Sequence, residues 1–190
     1  MASLTEVRWH GRGGQGGKTA SILLGKVAAK SGKNIQAFPE YGPERMGAPV
    51  LAYNRISEDD ITLHCQVTEP SIVAVLDPTL LDVVDVTDGV PAEGTIVVNS
   101  KENAEDIKEK LDFKGDVWTV DAYGVAEKEI GRPFPNTPML GGLMKATGLI
   151  EFDKFLAGIE TELEKKFAHK PEVIDKNLAA IKRAYQEVAN

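Results

Sequence analysis

The feature that most constrains the fold of this chain is a glycine-dense loop at residues 10–19, which reads His-Gly-Arg-Gly-Gly-Gln-Gly-Gly-Lys-Thr. An alternating apolar run at residues 6–9 precedes the loop, and a helix-like segment at residues 21–29 follows it. In α/β proteins this order of strand, glycine loop and helix directs the backbone N–H groups at a helix N-terminus towards a phosphate. The pattern therefore predicts an α/β fold with an anion-binding loop. The alternative is a tight turn whose glycines serve only packing.

The loop partly matches two known phosphate-binding motifs, but it lacks one defining residue of each. A P-loop needs a glycine five residues before the Gly-Lys-Thr step at residues 17–19, but Arg12 stands there. Residues 11–16 satisfy the Rossmann pattern G-x-G-x-x-G, but the acidic residue expected at the end of the second strand is missing, since Glu40 follows late in an apparent loop. ATP hydrolysis and NAD binding are therefore disfavoured. Arg12 and Lys18 beside the glycines still favour an anionic ligand.

Composition and charge favour a single-domain protein and disfavour several classes of partner. The chain has 190 residues, 42% of them hydrophobic, and a formal net charge of −7. A chain of this length buries roughly 70% of its unfolded surface, so one domain over residues 1–190 is expected. The negative charge disfavours nucleic acids and anionic membranes as partners. No apolar run approaches the roughly 20 residues that span a bilayer, and the first residues lack a signal-peptide core, so a cytoplasmic location is expected.

The cysteine and histidine content argues against a metal site within this chain. Cys65 is the single cysteine, whereas an iron–sulfur cluster takes about four. His10, His64 and His169 are scattered and have no carboxylates at ligand spacing. We therefore expect no metal ligands here.

Apolar runs alternate with helix-period segments, which is typical of a parallel sheet with crossover helices. We predict an α/β, Rossmann-like fold with a mostly parallel sheet flanked by helices. The predicted strands are 6–10, 34–38, 50–56, 72–76, 95–99 and 117–121, and the predicted helices between them are 17–30, 79–84, 104–111 and 123–130. Two β-like runs around the polar cluster 57–60 predict a β-hairpin near 50–67. Beyond residue 138, apolar residues at helical spacing predict a helical C-terminus.

Two further segments carry candidate contact residues. Residues 38–49 follow the second predicted strand and would emerge at the carboxyl edge of the sheet, where open α/β sheets bind ligands. Their prolines, glycines and charged residues suit either a surface turn or a contact with a ligand or subunit. In residues 132–142, Asn136 or Thr137 would cap a helix that starts near Pro138.

The ends of two other predicted strands reach the same edge. Asp77 and Asn99 each stand where a predicted strand stops. Either residue could contact a ligand or simply form a turn.

Four segments occur in the order found in one family. They are residues 8–16 (Arg-Trp-His-Gly-Arg-Gly-Gly-Gln-Gly), 38–45 (Phe-Pro-Glu-Tyr-Gly-Pro-Glu-Arg), 97–100 (Val-Val-Asn-Ser) and 136–141 (Asn-Thr-Pro-Met-Leu-Gly). Together they resemble the gamma subunit of 2-oxoacid:ferredoxin oxidoreductases, and most closely that of the pyruvate type, pyruvate:ferredoxin oxidoreductase or pyruvate synthase. The resemblance covers nearly the whole chain.

The resemblance implies that this chain is one part of a multi-subunit enzyme. In that family, alpha, beta, gamma and delta subunits convert pyruvate, coenzyme A and oxidised ferredoxin to acetyl-CoA, carbon dioxide and reduced ferredoxin. The complex uses thiamine diphosphate with Mg²⁺, [4Fe-4S] clusters and coenzyme A as a substrate. The single cysteine, and the absence of a thiamine motif after residues 115–116, suggest that these cofactors lie on other chains. We therefore expect no catalytic residue in this chain.

The resemblance and the residues together define a set of candidate site residues. Residues predicted to bind coenzyme A or another phosphate are Gly11, Arg12, Gly13, Gly14, Gln15, Gly16, Gly17, Lys18 and Thr19. Residues predicted to contact a ligand or a subunit are Tyr41, Gly42, Glu44, Arg45, Asn99, Asn136 and Thr137. A loop that seals a neighbouring thiamine site would fit equally well.

Three other functions stay open at this point. One is a stand-alone NAD- or nucleotide-binding Rossmann protein. Another is a gamma subunit that serves a different 2-oxoacid, such as 2-oxoisovalerate or 2-oxoglutarate. The third is a scaffold protein whose glycine loop is purely structural.

Overall fold

The computed structural model describes residues 4–40 and 47–190, which form a six-stranded sheet packed between helices. The strands are β1 (Thr5–Arg12), β2 (Asn34–Glu40), β3 (Pro49–Ser57), β4 (Ile72–Val75), β5 (Thr95–Asn99) and β6 (Asp116–Val120). The helices are α1 (Gly17–Lys30), α2 (Ala104–Leu111), α3 (Ala122–Ile130), α4 (Asn136–Thr147), α5 (Phe152–Phe167) and α6 (Pro171–Glu187). A short 3₁₀ helix, Pro78–Asp82, follows β4 where the sequence predicts a helix.

The strand order is β2-β3-β1-β4-β5-β6. Strands β1, β4, β5 and β6 are parallel, whereas β3 runs antiparallel to both β1 and β2. The carboxyl ends of the four parallel strands therefore meet at one edge, where the glycine loop emerges. This arrangement confirms the predicted α/β fold with a mostly parallel sheet and a helical C-terminus.

The predicted β-hairpin near 50–67 is wrong. Its first half is β3, but residues 60–67 form no strand. Strand β3 lies between β1 and β2 and is hydrogen-bonded on both sides, so it has no free edge for a hairpin partner. The following segment instead passes beside β2, where the Gln36 side-chain amide donates to the carbonyls of Ile61 and Leu63 at 3.4 and 2.8 Å.

The position of β2 also bears on the dinucleotide motif. Strand β2 ends at Glu40, two residues later than predicted, so an acidic residue does end the second strand. However, β3 separates β2 from β1, which places Glu40 away from the glycine loop. Its carboxylate instead accepts hydrogen bonds from the Tyr53 hydroxyl and from Gln66. Glu40 therefore does not stand beside the glycine loop, as the ribose-binding acid of a dinucleotide site would.

A buried polar link fixes α1 against the sheet. The Trp9 indole donates to the Asn54 side chain at 2.8 Å, and the Asn54 amide donates to the Ser21 carbonyl at 2.8 Å. All three residues are almost fully buried. Because the link joins β1, β3 and α1, it holds the start of α1 rigidly behind the glycine loop. None of the helices within residues 4–40 and 47–190 has both the length and the apolar composition of a membrane span.

Candidate functional site

The glycine loop connects β1 to α1 at the carboxyl edge of the sheet. Gly14 and Gly16 have φ angles of 97° and 84°, in the left-handed region that favours glycine. A Cβ at Gly16 would lie 2.8 Å from Cγ and 3.0 Å from Cβ of Asn136, whereas a Cβ at Gly14 would meet nothing within 4 Å. Gly16 is therefore required both for its backbone conformation and for the close approach of α4.

The other loop positions lie on either side of these glycines. Gly11 pairs with Val50 in the sheet, and the Gly13 N–H donates to the Ala48 carbonyl at 3.3 Å. Gly17, Lys18 and Thr19 form the first turn of α1, which contains no acidic residue and no side-chain cap. The partial positive charge of this helix end is therefore not offset by a side chain of its own first turn.

Asp77, which follows β4, organises the side chains beside the loop. Its carboxylate accepts hydrogen bonds from the Gln15 amide at 2.5 Å and from the Thr79 N–H and hydroxyl at 3.0 and 2.6 Å. Arg12 Nε lies 3.2 Å from the same carboxylate. Burial alone would raise the pKa of Asp77, but the hydrogen bonds from Thr79 and Gln15 and the charge of Arg12 outweigh it and lower the pKa. Asp77 is therefore ionised and holds the loop by charge-assisted hydrogen bonds.

Gln15 is locked in one orientation by its neighbours. Its oxygen accepts from the Arg12 backbone N–H at 2.7 Å, and its amide nitrogen donates to Asp77 and, at 2.8 Å, to the Tyr123 hydroxyl. A flipped amide would place donors against the Arg12 N–H. Gln15 therefore links Asp77 to the loop backbone at Arg12 and, through Tyr123, to α3.

Tyr123 belongs to the site, although no motif in the sequence indicated it. Its hydroxyl accepts from Gln15, and burial, followed by the charge of Asp77, raises its pKa, so the phenol stays protonated. Its own proton has no acceptor in the described parts of the chain. The available signal was its place in the first turn after β6, because that turn opens at the same carboxyl edge.

Arg12 and Asn99 are both held by contacts within the chain. The Arg12 guanidinium donates to the Thr79 hydroxyl at 2.8 Å and to the Gly47 carbonyl at 3.0 Å. The buried Asn99 side chain donates to the Leu76 carbonyl at 2.8 Å and accepts from the N–H groups of Ala122 and Tyr123 at 2.9 and 3.3 Å. Asn99 therefore positions the start of α3, and with it Tyr123.

The predicted cap at the start of α4 is wrong. The helix begins at Asn136 itself, and its N-cap residue, Pro135, makes no side-chain capping bond. The prolines in this segment start the helix earlier than residue 138, so Asn136 and Thr137 lie inside it. Asn136 packs against Gly16, and the Thr137 hydroxyl bonds to Asn177 of α6 at 3.0 Å. The four predicted contact residues Tyr41, Gly42, Glu44 and Arg45 lie outside the described residues.

A long groove begins at the glycine loop and runs between α1, α4, α5 and α6, with a volume of about 1010 Å³. We call it the basic groove. Among the described residues its cationic lining side chains are Lys26, Arg132, Lys165, Lys166, Lys170 and Lys176, and its acidic lining side chain is Glu162. These lysines were not singled out in the sequence, because they come together only when α5 and α6 fold back on α1.

Glu162 is a buried carboxylate in the wall of the basic groove. It pairs with Lys165 at 2.6 Å, Lys30 at 2.9 Å and Lys26 at 3.2 Å. Hydrogen bonds from Lys165 and Lys30 contribute most to lowering its pKa to about 2. Because Lys26 and Lys30 belong to α1, this cluster fastens α5 to the helix that carries the glycine loop.

We expect Glu162→Gln to lower the free energy of unfolding by about 2 kcal/mol at neutral pH, since hydrogen bonds to charged groups are lost. The pKa of Glu162 falls from 4.5 to about 2 on folding, so its stabilisation is complete above pH 4.5 and is lost as the pH falls towards 2. Urea denaturation of both proteins across this range should show the difference shrinking. Glu164→Gln, an exposed change on the same helix, is the control. A difference that persists undiminished near pH 2 would contradict this account.

The described residues offer no obvious place for a metal. In the parts of the chain that the structure describes, no three His, Cys, Asp or Glu side chains are grouped so as to hold a metal ion. At the carboxyl edge, the described side chains of Arg12, Gln15 and Thr79 instead surround the Asp77 carboxylate beside the glycine loop.

Comparisons with known proteins identify a family. Residues 6–187 match the family model for pyruvate ferredoxin/flavodoxin oxidoreductase. The chain is 45% identical over 185 residues to the pyruvate synthase subunit PorC of Thermotoga maritima, covering 96% of this chain and 94% of that one. It is 43% identical over 185 residues to the common gamma subunit of the pyruvate/ketoisovalerate oxidoreductases of Pyrococcus furiosus, covering 97% of each.

The fold agrees with these sequence matches. The crystal structure of pyruvate oxidoreductase subunit PORC from Thermotoga maritima (EC 1.2.7.1) superimposes with a TM-score of 0.86 at 44% identity, covering 98% of this chain and 97% of that one. The fold described above is therefore shared with this experimentally determined PORC subunit.

Proposed function

The chain belongs to the pyruvate ferredoxin/flavodoxin oxidoreductase family as a gamma subunit, and from this we propose that it binds coenzyme A for a pyruvate-type 2-oxoacid:ferredoxin oxidoreductase. In the proposed reaction, pyruvate, coenzyme A and oxidised ferredoxin give acetyl-CoA, carbon dioxide and reduced ferredoxin. The binding region is the carboxyl edge around the glycine loop.

The observation that carries this proposal is the start of α1. Its first turn is Gly17-Lys18-Thr19, which contains no acidic side chain, and there is open space where Cβ atoms would stand at Gly14 and Gly17. Such an N-terminus favours phosphate through its N–H groups and its partial charge. Coenzyme A carries several phosphate groups, whereas pyruvate carries a single small carboxylate. The site therefore suits coenzyme A better than the 2-oxoacid.

Tyr123 and Gln15 add polar groups at the same edge. The Tyr123 hydroxyl accepts from Gln15, and its proton has no acceptor within residues 4–40 and 47–190. We propose that this proton orients the bound ligand while Asp77 and Arg12 keep the loop in place. These side chains hold and orient; none of them forms a nucleophile with an adjacent base.

The redox cofactors are assigned to the other subunits in this proposal. Thiamine diphosphate with Mg²⁺ would stabilise the carbanion formed on decarboxylation, and [4Fe-4S] clusters would carry the electrons to ferredoxin. A chain with one cysteine cannot supply the ligands of a cluster. Alpha, beta and delta subunits are the proposed carriers, and ferredoxin would dock on the assembled complex.

A second candidate differs only in the 2-oxoacid. The Pyrococcus furiosus relative is named as a gamma subunit common to the pyruvate and ketoisovalerate oxidoreductases. A gamma subunit shared by two such enzymes would serve a step that does not depend on the acid. Coenzyme A binding is such a step, so the same site would also suit a 2-oxoisovalerate enzyme.

The test is made on the complex that copurifies with the tagged wild-type chain or with Lys18→Ala or Arg12→Ala. We expect thiamine- and cluster-containing subunits to copurify, with pyruvate-dependent ferredoxin reduction. Each substitution should raise the KM for coenzyme A by about 3- to 10-fold, because one cation near the phosphates is lost, and leave the KM for pyruvate unchanged.

Lys114→Ala is the matched control, because this exposed lysine precedes β6 and lies at the opposite end of that strand. An unchanged KM for coenzyme A in both loop variants would refute binding at the loop. A tagged chain that purifies alone, while the pyruvate-oxidising activity elutes without it, would refute the assignment to this enzyme.

A further inference from the structure

We propose that the basic groove is the docking site for an acidic segment of a partner subunit, one that carries several carboxylates and at least one apolar side chain. The inference rests on the proposed function only in requiring that this chain assembles with other subunits. It does not depend on coenzyme A binding at the glycine loop.

The first observation is a local reversal of charge. The chain carries a net charge of −7, yet the basic groove contains six cationic side chains and one carboxylate among the described residues. Glu162 pairs with Lys26 and Lys165. The remaining cations, Arg132, Lys166, Lys170 and Lys176, form no ion pair within residues 4–40 and 47–190. Such a patch on an otherwise acidic protein steers an acidic partner towards it.

The second observation is the spacing of these charges. Arg132 follows α3, Lys166 lies in the last turn of α5, Lys170 precedes α6 and Lys176 lies within α6. The chain from Lys170 to Lys176 covers roughly 9 Å at the helical rise per residue. A phosphate site gathers its donors around one group, whereas a series of separated cations matches carboxylates spaced along a peptide.

The third observation is the size of the groove and its apolar side chains. Its volume of about 1010 Å³ lies at the upper limit of small-molecule pockets, which hold roughly 300–1,000 Å³. Phe134, on a proline-flanked loop at the groove, is 44% exposed, and Ile22 and Phe167 are partly exposed beside it. Aromatic side chains surrounded by a charged rim are typical of protein interfaces. The occupant that fits both features is an acidic peptide segment with an apolar anchor.

The test compares two triple variants that change the net charge equally. The groove variant is Lys166→Glu, Lys170→Glu and Lys176→Glu, and all three side chains are exposed, so the fold should tolerate the change. The control variant is Lys108→Glu, Lys114→Glu and Lys154→Glu, at positions that do not line the groove and form no ion pair within the described residues. Each is coexpressed with the other subunits, and the amount of this chain retained on a tag carried by another subunit is measured at low and high NaCl.

We expect the groove variant to be retained about tenfold less than wild type, and the control variant to be retained normally. A milder variant, Lys166→Gln, Lys170→Gln and Lys176→Gln, should assemble with a weaker dependence on salt. In whatever complex does assemble, the KM for coenzyme A should stay at the wild-type value.

Three results would overturn the proposal. Normal assembly of the groove variant would mean that no acidic segment binds there. Normal assembly with a raised KM for coenzyme A would assign the groove to that substrate instead. Equal losses in both triple variants would reveal a general effect of charge. The KM for coenzyme A of the glycine-loop variants tests the proposed function separately, because it is measured whether or not the groove binds an acidic segment.

Discussion

Gly16→Ala is expected to be among the most damaging single changes at the candidate site. Alanine at φ +84° is strained by about 1 kcal/mol, and its Cβ would lie 2.8–3.0 Å from Cγ, Cβ and Nδ2 of Asn136. Because Cβ of Asn136 cannot rotate away, α4 or the loop must shift, which adds roughly 1–3 kcal/mol. We expect a total loss of about 2–4 kcal/mol, measured by urea denaturation.

Substitutions at two neighbouring glycines distinguish backbone strain from steric overlap as the cause of the stability loss in Gly16→Ala. Gly14→Ala introduces a similar strain at φ +97° but meets nothing within 4 Å, so it should cost about 1 kcal/mol. Gly17→Ala lies in the first turn of α1 with open space around it, so it should be neutral or stabilise the chain by up to about 1 kcal/mol.

A double variant tests the contact with α4 directly. Asn136→Gly removes the side chain that the added Cβ would strike, so Gly16→Ala should cost only its backbone strain in that background. The interaction free energy between the two positions should then be about 1–3 kcal/mol. If Gly16→Ala proves no worse than Gly14→Ala in the wild-type background, the close approach of α4 does not constrain the loop.

Most elements of this fold could be predicted because their signals are local. The glycine loop, the apolar face of α1 and the short apolar strands β4 and β5 each stand out in a few consecutive residues. The predicted bounds of α1 and α2 agree with the structure at both ends. The place of β3 could not be predicted, because alternation identifies a strand but does not say which strands pair with it.

The candidate site was predictable only in part, for the same physical reason. Arg12, Gln15 and Asp77 stand next to strand ends, so topology alone brings them together. Tyr123 reaches the same edge from a distant strand, with only its position after β6 to indicate it. The basic groove depends on α5 and α6 packing back onto α1. The spacing of residues within one helix does not predict that contact.

Asp77→Asn is expected to cost nearly as much as Asp77→Ala, although asparagine has the same shape. One carboxylate oxygen faces the Thr79 N–H and hydroxyl, and the other faces the Gln15 amide and Arg12 Nε. The NH₂ group of asparagine must therefore face a donor on one side. Gln15 cannot flip to help, because its oxygen already accepts from the Arg12 backbone N–H. We expect a loss of about 2–3 kcal/mol in the free energy of unfolding for either variant.

Asp85→Asn is the matched control for this change. The Asp85 carboxylate accepts from the Thr87 N–H and hydroxyl at 2.9 and 2.6 Å, as Asp77 does from Thr79, but Asp85 is exposed and bonds no glutamine side chain among the described residues. One oxygen of asparagine can keep both Thr87 contacts, and the Asp88 backbone N–H, which also helps to lower the pKa of Asp85, can bond to water at this exposed site. The effect should therefore stay below about 0.5 kcal/mol. The contrast tests whether position 77 requires a charge because it is buried and faces the additional donors of Gln15 and Arg12.

The dependence on pH follows from the same hydrogen bonds. The pKa of Asp77 is lowered from its ordinary value of 3.8, so its stabilisation is complete above that pH and is lost as the pH falls below it. Wild type and Asp77→Asn should therefore differ most near neutral pH and converge in acid. At neutral pH the assembled complex should also show a raised KM for coenzyme A, because the loop loses the carboxylate that holds Gln15. A destabilised Asp77→Asn enzyme with a normal KM for coenzyme A would mean that Asp77 supports the fold without positioning the loop for its ligand.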